Sequence, residues 1–75
     1  MILRNKLTKE TLNINYADFR KRFAKELQTA FDNFKKSENV KPYFKLKDYI
    51  EQDFYFNLQW NFNHFGNSVW YIERL

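Results

Sequence analysis

Apolar residues recur with the period of an α-helix between residues 16 and 36. Their spacing of three or four places them on one side of a 3.6-residue helix: Tyr16, Phe19, Phe23, Leu27, Ala30, Phe31 and Phe34. Asn15 precedes this stripe as a candidate N-cap, and Asp18 suits the positive end of the helix dipole. The pattern therefore predicts one long amphipathic helix over residues 16–36, with its aromatic side packed on a core.

A different pattern, strict alternation, fills residues 53–63. The apolar positions are Phe54, Phe56, Leu58, Trp60 and Phe62. The positions between them are Tyr55, Asn57, Gln59, Asn61 and Asn63. Alternation with period two is typical of a β-strand with one apolar face, so it predicts a strand here and places Trp60 in the core.

Residues 68–73 follow the only glycine of the chain and are predicted to form a second strand, with Trp70 and Ile72 on one face. The two strands predict a C-terminal β-hairpin. Pairing Phe62 with Trp70 keeps the apolar face intact and requires an odd loop of about three or five residues. Gly66 or Asn67 is expected at positive φ in this loop.

The rest of the chain gives weaker patterns. Residues 46–52 suit a short helix, with a strand over 43–47 as the alternative. Alternation around residues 12–14 indicates a strand, and residues 1–10 are either another strand or a flexible arm. Together these elements predict a single α+β domain over residues 1–75, with the long helix packed on a small antiparallel sheet of about three or four strands.

Composition argues against most catalytic and cofactor-binding classes. The 75 residues include no Cys, one Gly and one His, which excludes disulfides, thiolate zinc sites, glycine-rich phosphate loops and paired imidazoles. His64 with Glu51, Asp53 or Glu73 is the one candidate acid–base pair, and no spacing requires it. Asp48, Glu51 and Asp53 are carboxylates of the kind that bind Mg²⁺, and the alternative interpretation is ordinary solvated charge at the end of a helix. The prediction is a protein that is not an enzyme, with no cofactor, metal or catalytic residue.

Targeting signals are not apparent in the sequence. Arg4 and Lys6 interrupt the first residues before an apolar signal region can form, and no run approaches the length of a membrane span. We therefore expect a cytoplasmic protein without membrane contact. The richness in Phe, Tyr, Asn and Lys also fits an A/T-rich gene, typical of phages and mobile elements of low-GC bacteria.

Charge is segregated along the chain. Residues 1–47 carry 12 basic and 5 acidic side chains, whereas residues 48–75 carry 1 basic and 4 acidic ones. The basic side chains of the predicted helix are candidate phosphate contacts for a nucleic acid: Arg20, Lys21, Arg22, Lys25, Lys35 and Lys36. An ordinary solvated helix face is the alternative reading of these residues.

The nineteen residues 54–72 contain no Asp, Glu, Lys or Arg. A neutral strand face rich in amides, with a Tyr, suits contact with another protein, because interface cores are depleted in charge. The candidate partner-binding residues are Tyr55, Asn57, Gln59, Asn61 and Asn63 on this face and His64 and Phe65 at the hairpin tip. The alternatives are cover by the N-terminal segment and codon bias.

The leading hypothesis is thus a small protein-binding domain, with a second copy as one possible partner. An inhibitor or accessory factor acting on a host or defence protein is its most specific form. The competing hypothesis is a small basic nucleic-acid-binding protein that uses the helix face.

Overall fold

Four helices and an antiparallel sheet form an α+β architecture in the part of the chain that the structure describes. The computed structural model describes residues 1–37 and 47–75. Along the chain the elements are β1 (Ile2–Asn5), β2 (Thr11–Asn13), α1 (Tyr16–Arg22), α2 (Ala24–Ser37), α3 (Lys47–Phe56), α4 (Leu58–Phe65) and β3 (Trp70–Arg74). The predicted class, helix packed with a small antiparallel sheet, is confirmed.

The sheet joins the two ends of the described chain. Its strand order is β2-β1-β3, and both pairings are antiparallel. Leu3 in the central strand lies opposite Leu12 on one side and Ile72 on the other, and its side chain is fully buried. The strand predicted around residues 12–14 is therefore confirmed as β2, and the strand predicted within residues 1–10 is β1. Of the two predictions for residues 1–10, a strand or a flexible arm, the structure has a strand over Ile2–Asn5, in the middle of the sheet.

The predicted helix over residues 16–36 is two helices that meet at Phe23. Phe23 has φ −107° and ψ 29°, which interrupts regular helical geometry. The Phe23 N–H still donates to the Phe19 carbonyl at 2.9 Å, and the Leu27 N–H donates to the Phe23 carbonyl at 2.9 Å. The apolar stripe consequently continues across the break. Asn15 caps α1 as predicted, since its Oδ1 accepts from the Asp18 N–H at 2.8 Å.

The predicted strand over residues 53–63 is wrong: this stretch forms the end of α3 and most of α4. The alternating apolar residues contain two series with a spacing of four. Successive apolar residues, two positions apart, point about 200° apart on a helix, so the two series occupy nearly opposite sides. Phe54, Leu58 and Phe62 are 0%, 5% and 1% exposed, whereas Phe56 and Trp60 are 86% and 66% exposed. The assignment of Trp60 to the core is wrong for the same reason.

The C-terminal hairpin is also wrong, because β3 pairs with β1 rather than with residues 53–63. Asn67 has a positive φ of 51°, as predicted for Gly66 or Asn67, but it follows a helix. Gly66 itself has an ordinary φ of −74°. Glycine is needed there because a Cβ atom would lie 2.5 Å from the Phe62 carbonyl oxygen.

Aromatic rings dominate the core between the helices and the sheet. Phe62 of α4 meets Phe19 of α1 edge-on, with ring centroids 5.3 Å apart, and Phe34 of α2 meets Phe54 of α3 at 5.6 Å. Trp70 is half-buried against Phe23 at 6.0 Å, on the same side of β3 as buried Ile72. This packing fixes α4 between α2 and the sheet and so decides which side of α4 is exposed.

The short helix predicted over residues 46–52 corresponds to the first part of α3 (Lys47–Phe56). The alternative strand over 43–47 lies almost entirely outside the described residues.

Candidate functional site

Two of the five residues predicted to form one outward face lie apart from the others. Asn61 is 4% exposed, and its Nδ2 donates to the Phe54 carbonyl at 2.9 Å, which ties α4 to α3. Tyr55 is half-buried on the side of α3 that meets Arg20. The predicted face is therefore not continuous, because this stretch is helical, and the three residues that remain together are Asn57, Gln59 and Asn63.

Gln59 and Asn63 lie instead against the edge of β3 that faces away from β1. Asn63 Nδ2 donates to the Ile72 carbonyl at 2.9 Å, and the Ile72 N–H donates to Asn63 Oδ1 at 2.7 Å. Gln59 Nε2 donates to the carbonyls of Ile72 and Glu73, each at 3.2 Å. The two amides thus occupy backbone groups that a neighbouring strand would otherwise use, and they block edge-to-edge pairing at this point.

An apolar cleft opens on the outer side of α3 and α4. Phe56, Trp60 and Leu75 line it with exposures of 86%, 66% and 63%, and nearly buried Leu58 contributes the fourth apolar residue. We call these four residues the aromatic cleft. Its volume is about 410 Å³, and the polar residues that also line it are Asn57, Gln59 and Asn63.

The sequence prediction missed Phe56, Trp60 and Leu75 as surface residues. A signal for the first two was present: Phe56, Trp60 and His64 are spaced four apart, which is one side of a helix. Alternation hid this spacing, because the second series Phe54, Leu58 and Phe62 has the same spacing two residues out of step.

His64 and Phe65, the predicted hairpin-tip residues, lie at the end of α4, and their side chains pack against different neighbours. The exposed His64 ring stacks on Trp60, with centroids 5.1 Å apart and an interplanar angle of 10°. Phe65 is half-buried and meets Phe34 edge-on at 5.8 Å. His64 therefore extends the aromatic cleft along α4, whereas Phe65 belongs to the packing of the helices.

Two of the six basic candidates face a groove between α2 and α3. The Arg20 guanidinium lies 4.9 Å from the Tyr55 ring centroid and 5.8 Å from that of Tyr16. Lys35 Nζ lies 3.5 Å from Asp32 Oδ1 and 4.8 Å from the Phe31 ring centroid. Burial raises the pKa of the Tyr55 phenol above its ordinary value, and the Arg20 charge opposes part of that rise.

The other four basic candidates, Lys21, Arg22, Lys25 and Lys36, are exposed on α1 and α2. The charge of α1 and α2 is predominantly positive, since they carry six basic residues and three acidic ones, Asp18, Glu26 and Asp32. The aromatic cleft comes from a different part of the sequence. Phe56, Leu58 and Trp60 lie in the uncharged region 54–72, and the fourth residue, Leu75, follows that region.

Ligands for a metal ion do not cluster in the described part of the chain: no three His, Asp or Glu side chains there are placed to hold one. Within the same residues, His64 makes no hydrogen bond to a carboxylate and stacks on Trp60 instead. None of the described helices has the length and apolar character needed to cross a bilayer.

Comparison of the chain with protein-family models, with curated proteins and with solved structures finds no match.

Proposed function

We propose that this chain is a small, non-enzymatic protein-binding domain that docks through the aromatic cleft. The observation that carries the proposal is the exposure of Phe56 and Trp60, 86% and 66%, side by side on one cleft. Solvated helix faces normally carry charged residues, and this one carries two of the largest apolar side chains. The site shares Asn57, Gln59 and Asn63 with the face expected from the sequence but is centred on Phe56 and Trp60, and the proposed class of function is the same.

The energetics favour a macromolecular partner. Covering a large apolar side chain contributes roughly 1.5–3 kcal/mol, and Trp is among the residues most enriched at the energetic centres of interfaces. Asn57, Gln59 and Asn63 border the apolar residues, which resembles the polar rim of a protein interface. The residues that line the cleft are apolar or amide-bearing, so they supply contact area and hydrogen bonds rather than an acid, base or nucleophile.

The specific form of the proposal is an inhibitor or accessory factor that acts by occupying a surface of another protein. Such a factor needs a rigid docking element more than a catalytic group. Here α4 is held between α2 and the sheet by the buried Phe62 and by the Asn63 hydrogen bonds to Ile72. Rigid anchors lower the entropy lost when an interface forms.

The test is affinity capture from a nuclease-treated lysate of the source organism, followed by mass spectrometry. We expect a stoichiometric protein with the wild-type chain and with Leu7→Ser, but not with Trp60→Ser. Leu7 is the matched control because it is 77% exposed and follows β1 at the end of the sheet opposite Leu75. Equal capture by Trp60→Ser, or loss of every protein after nuclease, would contradict the proposal.

Nucleic-acid binding through α1 and α2 is the alternative, favoured by the exposure of Lys21, Arg22, Lys25 and Lys36. The triple variant Lys21→Glu, Lys25→Glu, Lys36→Glu separates the two functions. If the protein-binding proposal is right, this variant retains the captured protein, and Trp60→Ser loses it. Salt-sensitive binding to random DNA or RNA that the triple variant abolishes would favour the alternative.

A further inference from the structure

The aromatic cleft combines a protruding side chain with a recess on one patch. Phe56 is 86% exposed, the highest exposure among the large apolar residues of the described chain. Directly beside it lies the recess of about 410 Å³ that Trp60, Leu75 and Leu58 also line. A surface that carries both shapes can match itself, because a twofold axis brings the protrusion of each copy to the recess of the other.

We infer that a second copy of this chain occupies the aromatic cleft, so that the protein forms a weak homodimer with Phe56 of each copy inserted beside Trp60 of the other. This inference rests on the proposed function, since it takes the cleft to be a docking surface. It adds a regulatory consequence: a dimer covers the residues that a different protein partner would need, so the two associations compete.

Charge permits this arrangement. Phe56, Leu58 and Trp60 belong to residues 54–72, which carry no Asp, Glu, Lys or Arg. Two copies of the cleft therefore meet on the α4 side without like charges, and Glu73 and Arg74 next to Leu75 are of opposite sign. The stacked His64 and Trp60 rings extend the uncharged surface along α4. Docking of the basic α1–α2 surface on itself would instead bring Lys21, Arg22 and Lys25 against their own copies.

The sheet does not offer a competing route at β3. Its outer edge already receives hydrogen bonds from Gln59 and Asn63 at Ile72 and Glu73. Self-association at this end of the molecule is therefore made by side chains rather than by strand addition.

The area of the contact limits its size class. A fully covered large side chain contributes roughly 150–250 Å², so Phe56, Trp60 and Leu75, which are 86%, 66% and 63% exposed, give at most roughly 500 Å² per copy. The total of at most about 1,000 Å² lies at the lower limit for a specific interface, which is the size class of weak, reversible contacts.

The first experiment is sedimentation equilibrium of the purified chain from about 2 µM to about 500 µM, a range that covers weak, reversible dimers. The wild type and Leu7→Ser should change from monomer to dimer across this range. Phe56→Ser and Trp60→Ser should stay monomeric throughout. Circular dichroism and thermal melting confirm that each variant is folded, which we expect because both aromatic side chains are mostly exposed.

The second experiment uses the absence of cysteine from the chain. Asn57→Cys places a single thiol on the rim of the aromatic cleft, and Leu7→Cys places one at a distant exposed position as the matched control. Under mild oxidation at the upper concentrations, Asn57→Cys should form a disulfide-linked dimer at least about tenfold faster than Leu7→Cys, because a preformed dimer raises the effective thiol concentration.

Two results would overturn the inference: a wild type that stays monomeric at every concentration, or a dimer that Phe56→Ser and Trp60→Ser leave intact. Equal cross-linking rates for the two cysteine variants would do the same. Such results leave the proposed function testable on its own, because Trp60-dependent capture of a different protein is measured on dilute, monomeric chain. If no different protein is captured through Trp60 but the dimer forms and depends on Phe56, the proposed function is rejected and the homodimer is supported.

Discussion

At the scale of single residues, Asn63 replaces a neighbouring strand. Its amide both donates to and accepts from the backbone of Ile72, as a paired residue in a sheet would. Asn57, one position before α4, makes no side-chain hydrogen bond as the cap of that helix. The two asparagines look equivalent in the sequence, but only the Asn63 side chain makes hydrogen bonds that join two elements of the fold.

We predict that Asn63→Leu lowers the free energy of unfolding by about 1–3 kcal/mol, because it leaves the partly buried Ile72 N–H without a partner and the Ile72 carbonyl with Gln59 Nε2 alone. Asn57→Leu is the matched control and should change stability by less than about 0.5 kcal/mol. Urea denaturation followed by circular dichroism measures both. Equal effects of the two substitutions would show that the Ile72 contact contributes nothing.

Tyr55 gives a second residue-scale prediction, a dependence of stability on pH. Burial raises the pKa of its phenol above the unfolded value of 10.0, so the folded state holds the proton more tightly. This contribution to stability is fully present below pH 10 and is lost as the pH rises through the pKa of the folded state. Tyr55→Phe should therefore flatten the fall in stability above pH 10, measured by denaturation at a series of pH values. An unchanged slope would contradict the assignment.

At the scale of elements, α3 and α4 show how one sequence pattern serves two structures. Alternating apolar residues define a strand with one apolar face, but they also contain two series with helical spacing. The core accepts only the series that starts at Phe54, and the series that starts at Phe56 remains outside. The outer series is what forms the aromatic cleft, so the surface that we propose to bind proteins is a direct consequence of this arrangement.

The two series make a direct test of the helices. Phe54→Ala should lower the free energy of unfolding by about 3–5 kcal/mol, because the ring is fully buried and contacts Phe31 and Phe34. Phe56→Ala, two residues away, should change it by less than about 0.5 kcal/mol, because the ring is mostly exposed. A strand with one apolar face would make the two losses similar. Chemical denaturation of both variants under identical conditions decides between the structures.

At the scale of the whole molecule, the sheet connects the ends of the chain through its central strand. Leu3 packs in the core between the partners Leu12 and Ile72, and Arg4 bonds Glu73 across the outer face at 3.1 Å. That exposed ion pair adds little, and the buried side chains of the sheet provide the stability. The apolar side of the sheet that packs on the helices is therefore built from residues near both ends of the described chain.

Two leucines test this role of the first strand. Leu3→Ala should cost about 2–5 kcal/mol of stability because Leu3 is fully buried, whereas Leu7→Ala should be nearly neutral because Leu7 is 77% exposed. Thermal and urea unfolding measure the difference. Similar stabilities would mean that residues 1–10 contribute no core contact.

The long helical pattern was predictable because its information is local. The stripe from Phe19 to Phe34 fits a single period, and the Asn15 cap acts within three residues. The break at Phe23 was not predictable in this way, since the apolar stripe runs through it without a change of spacing. The strand predicted over 68–73 is found at Trp70–Arg74, and positive φ, predicted for Gly66 or Asn67, is found at Asn67, although the predicted hairpin around them is wrong.

What the sequence determined by itself was the α+β class, the core side of α1 and α2, and a stretch of nineteen residues, 54–72, without charged side chains. Only the tertiary structure decided that residues 53–63 are helical, that β3 pairs with β1, and that Phe56 and Trp60 face outward. The physical reason is that these outcomes depend on which apolar series the rest of the chain can cover. Phe62 packs against Phe19 and Phe23, far earlier in the chain, and that long-range contact selects the helix over the strand.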